Sequence, residues 1–398
     1  MSQPELQRVR VLHLITKLPI GGAQDNTLTS VAGADRSIFE VDIASSPGGA
    51  WEERARDAAD KLCLIPTLRR EMAPAADAQA VHDIVRLLRR RRYHIVHTHS
   101  SKAGTLGRIA TRLAQTPVVV HTVHGFAFND LTFSRLTRQM YLWLERFGAR
   151  LSDQMVMVSE LNRQEALAKR IVSAEKMTVI YSGINLAHFA NLPHKRDARQ
   201  QLDIPPHHRV VGTVGRMATC NAPLVFIEAA HQLLTHFPDL TILMVGDDPK
   251  WRPRVEAAIG NESRIRLLGY RTDVPEILAA MDVFMSSNLW GGLGRALTEA
   301  LAAGVPAVAF PVNGVPELVE DGVTGLHAQT GLSADLAAKT AHLLQHPALA
   351  QQLATAGRER VWRKFGADKM VADLDQLYRR LLIERDVALP PVLTPVSL

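Results

Sequence analysis

The sequence predicts an α/β protein of two doubly wound domains, each a parallel sheet covered by helices. Three observations carry this expectation. Short runs rich in Val, Ile and Leu alternate with segments of helical period along all 398 residues. Such runs suit strands buried on both faces between helix layers. They fall into two series separated by a stretch that loses the pattern, and the length suffices for two cores of ordinary size.

The first series is expected at residues 9–15, 39–44, 61–65, 95–98, 117–124 and 155–159. The second is expected at 177–181, 210–214, 240–245, 264–268, 283–286 and 307–310. Residues 1–185 are therefore assigned to a first domain, 186–208 to a hinge carrying a Pro-Pro pair, and 209–365 to a second domain. An amphipathic helix at 366–388 is expected to pack back on the first domain, and the Pro-rich tail 389–398 is expected to be disordered. Paired sheets of this kind place a ligand cleft at the carboxyl ends of their strands.

Composition excludes several classes. With 46% hydrophobic and 22% charged residues the chain reads as globular, and no apolar stretch reaches spanning length without interruption. The apolar run before Lys17 is too short for a secretory signal, which predicts a cytoplasmic protein. Cys63 and Cys220 are the only cysteines, which excludes a disulfide framework and fits a reducing compartment. The net charge of +6 suits anionic partners, but no nucleic-acid-binding signature accompanies it.

The most informative stretch is 286–304, SSNLWGGLGRALTEALAAG. It reads as a strand end, a glycine-rich turn and a helix, whose unpaired first amides and dipole favour a phosphate. Glu299, expected two turns into that helix, is a carboxylate suited to sugar hydroxyls. A second glycine turn, Gly21-Gly22, follows the first strand and opens a helix. Histidines stand at two strand ends, as His97-Thr98-His99 and His121-Thr122-Val123-His124. A metal site and structural hydrogen bonding are both open to them, and the sequence brings no Cys or carboxylate near; no metal is expected. In the second series, Gly215-Arg216 and Gly269-Tyr270-Arg271 end strands. Arg86, Arg89, Arg90, Arg91 and Arg92 crowd the end of a helix over 79–93. Cations near a helix C-terminus explain them, and a patch facing anionic lipid is the alternative.

The run at 286–304 resembles the donor-binding motif of retaining glycosyltransferases of family 4, which have the GT-B fold and read S-L-W-E-G-L-P-R-A-L-x-E-A. Leu289, Trp290, Gly292, Leu293, Arg295, Ala296, Leu297, Glu299 and Ala300 fit in register. Gly291 replaces the first glutamate and Gly294 the proline. The resemblance extends from the glycine loop at Gly21 to about Gly325. It implies transfer of a sugar from a nucleotide-diphosphate sugar to a hydroxyl acceptor, the first domain being the acceptor side. Gly21, Gly22 and Arg216 would hold diphosphate, and Glu299 the ribose. Arg271, Gly292 and Leu293 would complete the donor site, and His124 would lie beside the sugar. No cofactor is implied beyond the donor. The family pairs its arginine with a lysine where this chain has Asn221, so Lys17 and Lys102 are candidates for the missing charge. The two departures also leave open a catalytically impaired relative that binds a nucleotide or glycan. The basic helix points to a lipid-linked or cell-envelope acceptor reached from the inner face of a membrane.

Overall fold

A computed structural model describes residues 8–71 and 73–387, which divide into two compact units. The described part of the first spans 8–158, 162–180 and 367–387; the second comprises Ser159–Leu161 and Tyr181–Gly366.

Unit 1 is built on seven parallel strands: β1 (Val9–Leu14), β2 (Phe39–Ser45), β3 (Lys61–Leu64), β4 (Ile95–His99), β5 (Val118–Val123), β6 (Gln154–Met157) and β7 (Met177–Val179). Their order is β3-β2-β1-β4-β5-β6-β7, so the chain reverses direction across the sheet between β1 and β4. The connecting helices are α1 (Gly22–Ala32), α2 (Glu52–Ala58), α3 (Pro74–Arg91), α4 (Ser101–Ala114), α5 (Arg135–Arg150) and α6 (Glu160–Ala168). Helices on both faces explain why the strands read as continuous apolar runs; β5 is buried at all six positions.

Unit 2 holds six parallel strands: β8 (Arg209–Val214), β9 (Leu240–Val245), β10 (Ile265–Gly269), β11 (Val283–Ser286), β12 (Ala307–Ala309) and β13 (Leu326–His327). Their order, β10-β9-β8-β11-β12-β13, is the 3-2-1-4-5-6 arrangement of dinucleotide-binding folds. Its helices are α7 (Lys195–Gln201), α8 (Pro223–His236), α9 (Arg252–Ile259), α10 (Val274–Ala279), α11 (Arg295–Ala302), α12 (Val315–Leu318), α13 (Ser333–Gln345) and α14 (Pro347–Lys364). Every expected strand is present within a few residues, but 177–181, expected to open the second series, closes the sheet of unit 1 as β7, and β13, only two residues long, was not expected.

The stretch 186–208 corrects the hinge expectation. It carries α7, and Phe189, Ala198, Leu202 and Ile204 are buried in the core of unit 2 with Leu243 and Leu297. Arg199 ties it down through Asp282 at 2.5 Å and the Ala280 carbonyl at 3.0 Å. Four apolar anchors spread over residues 189–204, with only Ala198 inside α7 itself, are too sparse to show as a periodic pattern.

The last helix, α15 (Ala367–Glu384), belongs to unit 1. Met370, Leu374, Leu377, Tyr378, Leu381 and Leu382 fill one side of its core beside Val9, Val11 and Phe39. The tail 389–398 lies outside the described residues.

Candidate functional site

The residues singled out in the sequence fall at the carboxyl ends of the strands, in two groups that belong to different units. In unit 1 the loop after β1 runs into α1 at Gly21 and Gly22. Asp25 is the first residue to close the helical ladder, donating its amide to the Gly21 carbonyl at 2.9 Å, so the amides of Gly22, Ala23 and Gln24 precede the ladder. Gly21 itself is extended, with φ 175, and is not needed for a left-handed turn. Lys102 is not available as a replacement cation, because Asp77 pairs with it at 2.6 Å and the Glu71 carbonyl accepts another of its protons.

His124 is half-buried just beyond β5, and its surroundings were not visible in the sequence. His13 of β1 stands opposite His97 of β4 in the sheet register. The rings form one chain of hydrogen bonds. Thr122 Oγ1 meets His97 Nε2 at 2.6 Å, and His97 Nδ1 meets the Tyr378 hydroxyl at 2.5 Å. The same hydroxyl lies 3.3 Å from His13 Nε2, His13 Nδ1 lies 3.0 Å from His99 Nε2, and His99 Nδ1 lies 3.1 Å from His124 Nε2. A neutral imidazole has one donor and one acceptor nitrogen, so each link fixes the polarity of the next. The tautomer of His124 is thereby coupled to a phenol on α15. Burial lowers the pKa of His124 to about 4 and that of His13 to about 3, keeping both neutral near pH 7. His121 stands apart, bonded to Thr98 Oγ1 at 2.9 Å.

His13, His97 and His99 offer ring nitrogens within 4.8 Å of one another, the spacing of a metal site. All six of those nitrogens are also within hydrogen-bond distance of a neighbour in the chain. Sequence reasoning missed His13 and Tyr378. A lone histidine in a strand and a tyrosine in a distant helix carry no local signal.

In unit 2 the strand order places Gly215 and Arg216, which follow β8, beside Ser287 and Asn288, which follow β11; all four line one recess with Asn221, Met244 and Gly246. Two backbones approach closely there. Gly246 has φ +121, and a Cβ on it would overlap the Gly215 carbonyl, so only glycine fits. Arg216 is exposed, and among the described residues no carboxylate pairs with it. Asn221 is engaged with its own loop: its side-chain amide nitrogen donates to the Arg216 carbonyl at 2.7 Å, and its backbone carbonyl accepts from the Ser287 hydroxyl at 2.7 Å. The residue standing where the family has lysine is a staple for the Arg216 loop.

The glycine-rich turn follows β11. Gly291 donates its amide to Asn313 Oδ1 at 2.9 Å, and a Cβ on it would meet nothing within 4 Å. Gly292 accepts from the Gly314 amide at 3.2 Å. Gly294 has φ +97, a conformation closed to proline, which explains in backbone terms the second departure from the motif. The helix begins at Arg295, so Glu299 lies one turn in, where Arg295 Nε pairs with its carboxylate at 2.8 Å. Two of the expected donor-site side chains are already engaged within unit 2. The Leu293 side chain is only 3% exposed and sits in the core, leaving its backbone alone to face a ligand. Arg271 is gripped by both oxygens of Asp273, so its guanidinium is already matched. Tyr270 donates to the Asp247 carbonyl at 2.7 Å.

Residues 208–346 match the family described as glycosyl transferases group 1, and residues 21–183 match the glycosyl transferase 4-like domain. The chain is 32% identical over 326 residues to the Escherichia coli UDP-Gal:alpha-D-GlcNAc-diphosphoundecaprenol alpha-1,3-galactosyltransferase, covering 80% of this chain and 83% of the relative. It is 22% identical over 391 residues to the Staphylococcus aureus capsular polysaccharide biosynthesis glycosyltransferase CapM, covering 96% and 100% of the two. The fold is similar to that of Anabaena HepE, crystallised with UDP and glucose, at a TM-score of 0.81 and 21% identity over 94% of this chain and 100% of that one. Among the described residues no helix is long and apolar enough to cross a membrane.

Proposed function

The chain belongs to the group 1 glycosyltransferases with the GT-B fold, and on that premise we propose that it moves a hexose from a nucleotide-diphosphate sugar to a hydroxyl of a lipid-linked acceptor, retaining the anomeric configuration. The observation that carries the substrate class is the 32% identity to a relative whose name gives a UDP-sugar donor and a diphosphoundecaprenol-linked acceptor. The bond to be broken leaves negative charge on a diphosphate. Fixed protein charge stabilises such a leaving group without a bound metal, and Arg216, exposed and unpaired by any described carboxylate, is the group placed to do so. The ribose hydroxyls go to Glu299, whose carboxylate Arg295 already orients. His124 contacts the sugar as a neutral imidazole. The leaving phosphate takes the acceptor proton, so orientation and charge are what the protein supplies.

Arg216→Ala is expected to lower kcat by about 100- to 1000-fold, the usual cost of removing one charge-stabilising donor. Release of nucleotide from UDP-galactose in the presence of a diphospholipid-GlcNAc acceptor measures it. An unchanged rate would remove Arg216 from the reaction.

A second reading, a binding relative with little or no turnover, is favoured by the engagement of the uncharged Asn221 with the Arg216 carbonyl and by the missing carboxylate at Gly291. The double variant Asn221→Lys, Gly291→Glu separates the two. A Cβ at Gly291 meets nothing within 4 Å, so a side chain can start there without a clash. An active native chain whose turnover is kept or raised in the double variant supports the enzyme. Calorimetric binding of UDP-sugar with no turnover in either form supports the binding role.

A further inference from the structure

In unit 1 an exposed apolar face runs along α5. Ser134 caps the helix, accepting from the Thr137 amide at 3.1 Å. Leu142, Glu145 and Ala149 turn inward and are buried. Leu136, Met140, Trp143 and Phe147 recur at the spacing of one helical stripe on the other side. Leu136 is 81% exposed and Trp143 60%, with Leu131 at 64% in the turn just before the helix. The rings of Trp143 and Phe147 stack with centroids 5.6 Å apart, making a flat apolar shelf.

Basic residues predominate around this shelf, and the carboxylate at its start, Asp130, accepts from the amide and hydroxyl of Thr132. Arg135 and Arg150 are exposed at the two ends of α5. Arg146 reaches the Lys169 carbonyl at 2.7 Å, which brings the exposed Lys169 and Arg170 alongside. The only acidic residue between 131 and 150 is Glu145, and it is buried against Arg108. An apolar stripe with aromatic rings and a basic border is the pattern of a helix lying in a membrane interface. A second copy of this chain fits less well, because a two-fold contact would set the same basic border against itself.

We propose that α5 is a docking surface for an anionic lipid bilayer, with Leu131, Leu136 and Trp143 entering the head-group boundary and Arg135 and Arg150 meeting lipid phosphates. Its purpose rests on the reading above of a lipid-linked acceptor, but its chemistry does not. The alternative basic patch on α3 is partly spent inside the protein. Arg91 is bound by Glu40 at 2.6 Å and by the buried Asp42 at 3.0 Å, and Arg89 donates to the Leu113 carbonyl at 2.9 Å.

The test is sedimentation of the full chain with vesicles of phosphatidylglycerol and phosphatidylcholine, against phosphatidylcholine alone. The native chain is expected to bind the anionic vesicles with a blue shift in tryptophan emission. The double variant Leu136→Ser, Trp143→Ser should bind at least about tenfold more weakly. Arg135→Gln and Arg150→Gln should each cost about fivefold at low salt. All of these positions are exposed, so circular dichroism should show unchanged folding. No vesicle binding by the native chain would overturn the proposal. So would binding that survives the α5 changes but is lost on Arg89→Gln, Arg90→Gln, Arg92→Gln, or a native dimer that the α5 double variant turns to monomer. Nucleotide release on a short-chain, water-soluble acceptor reads the reaction separately. A chain that docks without turnover, or turns over without docking, therefore shows which reading has failed.

Discussion

Between pH 7 and about pH 5.5 the protein is expected to lose roughly 5 kcal/mol of stability, more than carboxylate titration explains in that range. The source is four imidazoles with almost no solvent contact: His13, His97, His99 and His121. Burial is the leading cause of lowered pKa for each, with Arg36 adding to it for His13, neighbouring histidines for His97 and His99, and Arg108 for His121. A ring whose folded pKa lies below its unfolded value, near 6.5, binds fewer protons in the native state. Its stabilising contribution is complete above that value and is lost as the pH falls toward the folded pKa. Each such ring costs about 1 kcal/mol per pH unit once the unfolded chain is protonated, and four act together. Total stabilities of about 5–15 kcal/mol leave little margin, so an acid transition near pH 5 follows. Urea unfolding at half-unit steps of pH measures this directly. A denaturation midpoint that stays level from pH 7 to 5.5 would mean that the rings are solvated or already charged. High salt should not rescue the loss, because screening reaches buried groups poorly.

The strands were legible because burial on both faces writes itself as unbroken Val, Ile and Leu, and the glycine-rich turn was legible because backbone geometry demands its composition. What escaped was whatever depends on pairing across distance. His13 reads as one polar residue in a strand until the register sets it against His97, 84 positions later, and Tyr378 enters the same network from the far end of the chain. Asn221 reads in sequence as a charge that is missing, but in the structure its amide closes the loop that presents Arg216. The short α7 escaped for another reason: it buries only Ala198, and Phe189, Leu202 and Ile204 anchor the segment from either side of it, too few and too scattered to form a period. Leu293 shows the converse case: its side chain is buried, so a residue can fit a motif through core packing as well as through a ligand.

Arg108→Met is expected to cost about 3–5 kcal/mol, the largest effect of any single substitution considered, because it strands a buried carboxylate. Arg108 is fully buried on α4. Its Nε donates to the Gly104 carbonyl at 2.8 Å, and its Nη2 lies 3.6 Å from Glu145 Oε2 on α5. The guanidinium occupies the space left by Gly148, where any Cβ would overlap it. Burial raises the pKa of Glu145, and Arg108 opposes that rise. Without the arginine the rise is unopposed. A carboxylate with a folded pKa above its unfolded value stabilises below the unfolded value and loses that contribution as pH rises, so the deficit should shrink on acidification. The pair itself is loosely matched: Arg108 Nη1 and Nη2 and Glu145 Oε2 all lack a hydrogen-bond partner of good geometry. Replacing both residues, Arg108→Met with Glu145→Leu, should therefore recover most of the loss, to within about 1 kcal/mol of the native chain. Urea unfolding of the three variants supplies the cycle. A single Arg108→Met variant as stable as the native protein would show that Glu145 finds water or another donor, and that the α4–α5 contact does not depend on the ion pair.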